Sequence, residues 1–385
     1  MIGTRGVPAR YGGFETAVEE IGRRLVGRGH EVTVYCRGAQ APRPCEHLGM
    51  RLVHLPAVRS RSLETLSHTA ASVAHVWHTG GHDVAAVFNA ANAAFLPALH
   101  AAHLPVAVHV DGLEWQRAKW SGAGRHYYRW AESLAVRWAD ALIADAAGIA
   151  DYYRAEFGVA TELLTYGAPI LQDPGTGRLA GLRLRAGAFH LVVARFEPEN
   201  HVAEIVAGYH RSAARLPLVV VGSAPYADRY TARIRSIARD DPRVVLLGAV
   251  WDQDLLDQLY AGCSTYLHGH SVGGTNPSLL RAMGAAAAVV AFDVGFNREV
   301  AGPAAAYFSV AEELPAILAR AEADPGRVAE LGRRLQERAA SRYRWDDVAD
   351  GYESLLERLA AGESVRGSAS GRRGRRTRPV GVPCS

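Results

Sequence analysis

The sequence predicts an α/β protein built from two doubly wound domains, each a largely parallel sheet with helices on both faces. Three observations carry this. Short apolar runs alternate with longer helical patterns along nearly the whole chain. A length of 385 residues suits two domains and exceeds one ordinary domain. A stretch rich in Gly and Pro, residues 168–188, separates the two alternating runs.

The first domain is expected over residues 1–167, with strands at 32–35, 51–55, 84–88, 106–110, 141–144 and 162–165. Helical patterns lie between them at 14–28, 63–78, 91–100, 125–138 and 146–157. A doubly wound domain normally opens with a buried strand that feeds a glycine-rich loop. Here the loop begins at Gly3, after Met1 and Ile2 alone. The expectation is therefore a truncated first strand, or a true start upstream.

Residues 168–188 are expected to be a hinge, followed by a second domain over 189–344. Its strands fall at 191–194, 218–221, 244–247, 265–268, 288–292 and 306–308, and its helices near 201–214, 226–239, 253–261, 277–286, 312–323 and 326–343. A last helix, within 345–361, is expected to pack back toward the first domain, and 362–385 to form a disordered basic tail.

Composition excludes several classes. Hydrophobic residues make up 49% and charged residues 21%, which is globular composition. The net charge of +4 is a tail property: six Arg and one acid lie between Glu363 and Ser385, leaving the body near −1. No aromatic residues interleave with that Arg run, so nucleic-acid binding is not indicated. The tail reads as solvated chain, or as a peripheral contact with anionic lipid at the inner face of the cell membrane. The four Cys lack the paired spacing of a metal knuckle or disulfide scaffold. With no long apolar run and no signal-peptide pattern, the expected location is cytoplasmic.

Five loops carry the candidate chemistry. In the segment from Gly3 to Glu15, Gly12 and Gly13 permit a tight turn into a helix whose free N–H groups can face an anion. Arg5 and Arg10 strengthen an anion reading, because each can bond phosphate bidentately. The segment is neither a dinucleotide fingerprint nor a P-loop, which argues against a nicotinamide cofactor and ATP hydrolysis. Arg195 ends a strand in the second half, where such folds bind ligands. It either offsets charge on a departing diphosphate or pairs with Glu197 or Glu199.

The segment from His268 to Met283 joins a strand end, the pair Gly273 and Gly274, and a helix start. The amides of Thr275 and Asn276 form a candidate anion nest, while either side chain suits a helix cap. His268 and His270 lack partners for a metal shell, and no metal is expected. His109 ends a strand beside Asp111; it can bond a sugar hydroxyl, help protonate a leaving oxygen, or be structural. Trp115, Arg117 and Lys119 set a broad apolar face beside cations, suited to a sugar or a phosphate-bearing acceptor, or to anchoring a loop. Asn297, Arg298 and Glu299 follow a strand at the mouth of the cleft, with Glu299 the candidate carboxylate for the donor sugar.

Five ordered segments (3–15, 111–120, 193–200, 269–283 and 297–300) together resemble the GT-B retaining glycosyltransferases, in a branch similar to bacterial rhamnosyltransferases of polysaccharide assembly. The resemblance spans about residues 1–360 and is most specific at 269–280. It implies two Rossmann-like domains facing across a cleft, with the donor nucleotide sugar held mainly by the second and the acceptor by the first, without an obligatory metal or other cofactor. Arg195 then matches the residue on the donor diphosphate, Asn200 replaces a lysine usual in that clamp, and His109 falls near the histidine of the catalytic region. Two glutamates of the wider superfamily are replaced by Gly273 and Arg281, and a guanidinium cannot accept hydrogen bonds from a ribose.

The implied reaction is transfer of a sugar, with dTDP-rhamnose the preferred donor and a UDP-sugar next, to a hydroxyl of a glycan or polyprenyl-diphosphate-linked glycan. It would proceed with retention, by a front-face mechanism. An inactive sugar-nucleotide-binding scaffold is the other reading of the departures at Asn200, Gly273 and Arg281.

Overall fold

The computed structural model describes residues 1–9, 12–38, 43–58, 60, 63–110, 112–116, 122–223 and 228–363. Arg10, Asp111, Arg117, Lys119 and the tail beyond residue 363 lie outside the described residues.

The first half runs α1 (Gly13–Gly27), β1 (Thr33–Arg37), β2 (Glu46–His47), β3 (Met50–Leu55), α2 (Glu64–Thr79), β4 (Ala85–Phe88), α3 (Leu96–Ala101), β5 (Val106–His109), α4 (Gly122–Trp138), β6 (Ala141–Ala144), α5 (Ala147–Phe157) and β7 (Glu162–Leu163). Strands β4-β5-β6-β7 form one parallel sheet, and β1 pairs in parallel with β3, which takes β2 antiparallel at its edge.

Residues 1–3 fill the slot between the two sheets. The Ile2 amide donates to the Ala86 carbonyl at 2.9 Å, the Phe88 amide to Ile2 at 2.9 Å, and the Tyr35 amide to Met1 at 3.1 Å. Met1 and Ile2 thus bridge the two sheets, and they deliver the chain at Gly3 to the carboxyl edge.

The second half runs β8 (His190–Val193), α6 (Val202–His210), β9 (Leu218–Val221), α7 (Asp228–Arg239), β10 (Val244–Gly248), α8 (Gln253–Gly262), β11 (Thr265–His268), α9 (Pro277–Gly284), β12 (Ala288–Phe292), α10 (Gly295–Ala301), β13 (Ala306–Phe308), α11 (Leu314–Ala323), α12 (Pro325–Arg342) and α13 (Trp345–Ala360). Its sheet has the order β10-β9-β8-β11-β12-β13, with every pairing parallel. The order reverses between β8 and β11, and the crevice outside their carboxyl ends is where open α/β sheets bind ligands. Arg195 and the loop after His268 both emerge there.

Residues 168–188 are more than a linker. Leu179 and Leu184 are buried in the second domain's core, and the Leu171 amide bonds the Gly284 carbonyl at 3.0 Å. Gly and Pro give this stretch its turns, but its apolar residues bind it to one side.

Helix α13 crosses back to the first domain. Its apolar residues Trp345, Val348, Tyr352, Leu355 and Leu359 recur at helical spacing and are all buried. Each stabilises by roughly 1.5–3 kcal/mol relative to exposure. Gly167 has no side chain where the Trp345 ring lies, and Gly351 none where Leu164 lies. On the outer face Arg28 reaches Glu353 at 2.6 Å, Arg24 reaches Asp346 at 2.6 Å and Arg358 reaches Glu162 at 2.9 Å. Such exposed pairs set orientation more than stability.

Candidate active site

The site is where the carboxyl edges of the two sheets face each other. On the first-domain side, the glycine loop leads into α1. Gly12 has φ 125°, a conformation that favours Gly, and a side chain there would collide with the Glu15 carboxylate. Glu15 folds back over the helix start and accepts from the Arg5 amide at 2.9 Å, while Glu19 accepts from the Ala9 amide at 2.8 Å. The loop is thereby tied to its own helix, with the Arg5 side chain left at the surface.

Across the cleft stands α9. Pro277 occupies its first turn, and the Asn276 side chain accepts from the Ser278 amide at 2.9 Å. Of the two expected cap residues, Asn276 is the cap. Gly13 lies beside Pro277, so the N-termini of α1 and α9 oppose one another, two positive helix ends converging on one region.

Thr275 does something else. Its hydroxyl donates to the Asp145 carbonyl of the first domain at 2.6 Å. Gly274 packs on the Asp145 carboxylate, and Gly112 rests against the backbone of Gly273 and Gly274. The double glycine therefore serves close contact between the domains as well as any anion nest.

Arg195 is 37% exposed, with its guanidinium 3.6 Å from Glu197, one of the two partners the sequence offered. Asn200 donates to the Arg195 carbonyl at 2.8 Å, and its oxygen bonds His270 Nδ1 at 2.8 Å. Instead of facing a donor, this buried amide ties the Arg195 turn to the 269–271 loop, and the Ser271 amide adds a bond to the Glu199 carbonyl at 2.9 Å.

Residues 296–300, read from sequence as a loop after a strand, belong to α10. Successive helical residues point about 100° apart, so the trio diverges. Asn297 is fully buried and donates to the carbonyls of His270 and Phe292, both at 2.9 Å. Arg298 turns outward to Asp293 and lies 4.4 Å from the Tyr307 ring centre. Glu299 accepts from the Ala147 amide at 3.0 Å, at the start of α5 in the first domain.

Arg281 stands where the wider superfamily has a glutamate. It bonds Asp257 on α8 at 2.8 and 2.5 Å, and that carboxylate neutralises it. Trp115 lies under the Arg129 guanidinium, 5.2 Å from its ring centre, which fits the loop-anchoring alternative.

His109 is buried, at 2% exposure. Its ring packs among Phe14, Phe88, Tyr166 and Tyr352, and its Nδ1 lies 2.6 Å from the Tyr352 hydroxyl. Burial pushes its pKa down to about 3, so the ring is neutral near neutral pH and cannot serve as a protonated acid. His268 is likewise pushed down to about 3 by burial. Tyr352, Asp145 and Gly112 were missed as site residues. Tyr352 lies on the buried stripe of α13, and nothing along the chain gave its partner.

Residues 12–167 match the family model described as Glycosyl transferase 4-like domain, and residues 189–323 the one described as Glycosyl transferases group 1. The chain is a glycosyltransferase of the GT-B superfamily. Alpha-maltose-1-phosphate synthase of Mycolicibacterium smegmatis is 25% identical over 397 residues, covering 92% of this chain and 97% of that relative. In fold the chain is similar to sucrose-phosphate synthase from Thermosynechococcus elongatus, with a TM-score of 0.79 at 20% identity over 91% of this chain and 94% of the other. It is also similar to Anabaena HepE in complex with UDP and glucose, with a TM-score of 0.74 at 19% identity over 91% and 98% of the two chains. Among the described residues, no helix is long and apolar enough to cross a membrane.

Proposed function

We propose that this enzyme transfers a hexosyl group from a UDP-activated sugar to a hydroxyl of a phosphate-bearing acceptor, with retention of configuration. The observation that carries the reading is that the N-termini of α1 and α9 meet at Gly13 and Pro277, and that Tyr266, bonded to both the Val193 carbonyl and Ser278, ties the start of α9 to the strand end that leads into Arg195. Such a region stabilises the charge that develops on a departing diphosphate. Support for UDP over dTDP comes from HepE, whose complexes hold UDP, glucose and UDP-glucose. Both synthases named above are named for phosphate-bearing products, and Arg5 at the first-domain rim supplies a cation for such an acceptor. The preference for dTDP-rhamnose drawn from sequence gains no support from these relatives.

Calorimetry with UDP-glucose, UDP-galactose, GDP-mannose and dTDP-rhamnose, without added metal, tests the reading. A UDP-hexose should bind best, and Arg195→Ala should weaken it about tenfold or more, the range of one charge-assisted hydrogen bond. A preference for dTDP-rhamnose would restore the rhamnosyl assignment. Failure of the folded chain to bind any of the four would favour the inactive scaffold.

A further inference from the structure

His109 and Tyr352 are 243 residues apart along the chain and meet against the core of the first domain. His109 is 2% exposed and Tyr352 is 1% exposed, with 2.6 Å between Nδ1 and the hydroxyl oxygen. The other ring nitrogen, Nε2, is buried and has no hydrogen-bond partner. A buried polar atom without a partner costs about 1–3 kcal/mol, and a neutral imidazole has one donor and one acceptor nitrogen whose assignment follows the bond made by the other.

Two proton arrangements satisfy the 2.6 Å contact. If Nδ1–H donates to the phenol oxygen, the phenol proton is left without an acceptor, and Nε2 is left as an unpaired acceptor. If the phenol donates to Nδ1, both of those groups are satisfied or removed, and the one orphan is an Nε2–H. The second arrangement strands fewer groups. It also matches acidity, since a phenol is intrinsically a stronger donor than a neutral imidazole N–H, and the burial that pushes the Tyr352 pKa up keeps its proton in place.

We infer that Tyr352 is a positioning residue for His109: its hydroxyl donates to Nδ1, fixes the ring proton on Nε2, and so presents an N–H donor to an oxygen of the bound sugar nucleotide. This inference rests on the proposed function, in which the sugar nucleotide lies at the start of α1, and on the place of His109 at the carboxyl end of β5 against Phe14 of that helix. The ring's neutrality, imposed by burial, makes it a hydrogen-bond donor and no proton source. The aromatic walls formed by Phe14, Phe88 and Tyr166 hold its plane, and Phe14 directly follows the Gly12–Gly13 turn. Because Tyr352 lies on α13, the tautomer of a first-domain histidine is set by the helix that returns from the second domain.

The test is a long-range 1H–15N spectrum of the full chain labelled with 15N-histidine and free of donor, with His109→Gln identifying the His109 signals. Wild type should show Nδ1 as the unprotonated, downfield nitrogen and Nε2 as the protonated one. In Tyr352→Phe the two shifts should move toward each other as both tautomers become populated. For the wild type, kcat/KM for the donor should exceed that of Tyr352→Phe about 3- to 10-fold, the worth of one net hydrogen bond. A wild-type spectrum with the proton on Nδ1 overturns the inference, whether or not the variant folds. So does a Tyr352→Phe spectrum unchanged in tautomer, with only a lowered melting temperature. The spectrum is read without donor, so it stands or falls separately from the choice of nucleotide sugar.

Discussion

Gly112 of the first domain lies against Gly273 of the second so closely that a Cβ on Gly112 would overlap the Gly273 backbone. Backbone on both sides leaves nothing to rotate away. Gly112→Ala should therefore prevent the two loops from meeting while leaving each domain folded. The expected result is at least a tenfold loss of kcat/KM, a larger radius of gyration by X-ray scattering and a melting temperature close to wild type. Gly274→Ala should be milder, because the group it meets is the Asp145 carboxylate, a side chain that can shift.

Glu299 supplies a carboxylate to the start of α5 across the domain boundary. Losing a cap of this kind costs about 1 kcal/mol. Glu299→Ala should lower stability by about that amount in denaturant titration, and Glu299→Gln, which keeps an acceptor oxygen, by less than half of it. If both variants lose turnover equally with stability unchanged, the carboxylate acts on the substrate, as the sequence suggested.

Arg281 is held by Asp257 rather than by any group of the cleft. A double-mutant cycle on Arg281→Ala and Asp257→Ala should return a coupling of about 1 kcal/mol in stability. Donor affinity should change less than twofold in Arg281→Ala. A loss of tenfold or more would return Arg281 to the donor site.

Glu132 on α4 is 3% exposed, and burial pushes its pKa up to about 7 despite the 3.0 Å bond from the Tyr152 hydroxyl. The folded state therefore holds a proton that the unfolded chain releases near the ordinary glutamate value of 4.5. Stability from this group is fully present below pH 4.5, declines as pH rises from there to about 7, and is level above. Glu132→Gln should flatten that decline, and its advantage over wild type should be greatest above pH 7. Melting temperatures across pH 5–8 decide it, and a parallel decline in both proteins would place the titration elsewhere.

Most of the architecture was legible because burial imposes periodicity. The runs at 141–144, 218–221, 265–268 and 288–292 are strands at those positions, since a strand covered on both faces must be apolar throughout. The short elements escaped. β2 is two residues long, and α10 is seven residues opening on Gly295, too brief for an amphipathic pattern. In the site, Arg195, His109 and the Gly273–Gly274 pair could be placed at strand ends from the chain alone. The partners could not: Asn200 on His270, Arg281 on Asp257 and Tyr352 on His109 are contacts between separate elements. Residue type and order along the chain do not encode which way a side chain turns.

Helix α13 has a temporal consequence. It is the last described helix to be synthesised, yet Trp345, Val348 and Tyr352 complete packing around Gly167, Leu164 and His109. During translation, at about 5–20 residues per second, the opening domain can assemble its sheet but must wait with an uncovered apolar face. That face stays exposed until the whole second domain has been made. Any exchange of domains between related enzymes has the same constraint: the terminal helix must travel with the first domain, whose histidine it touches.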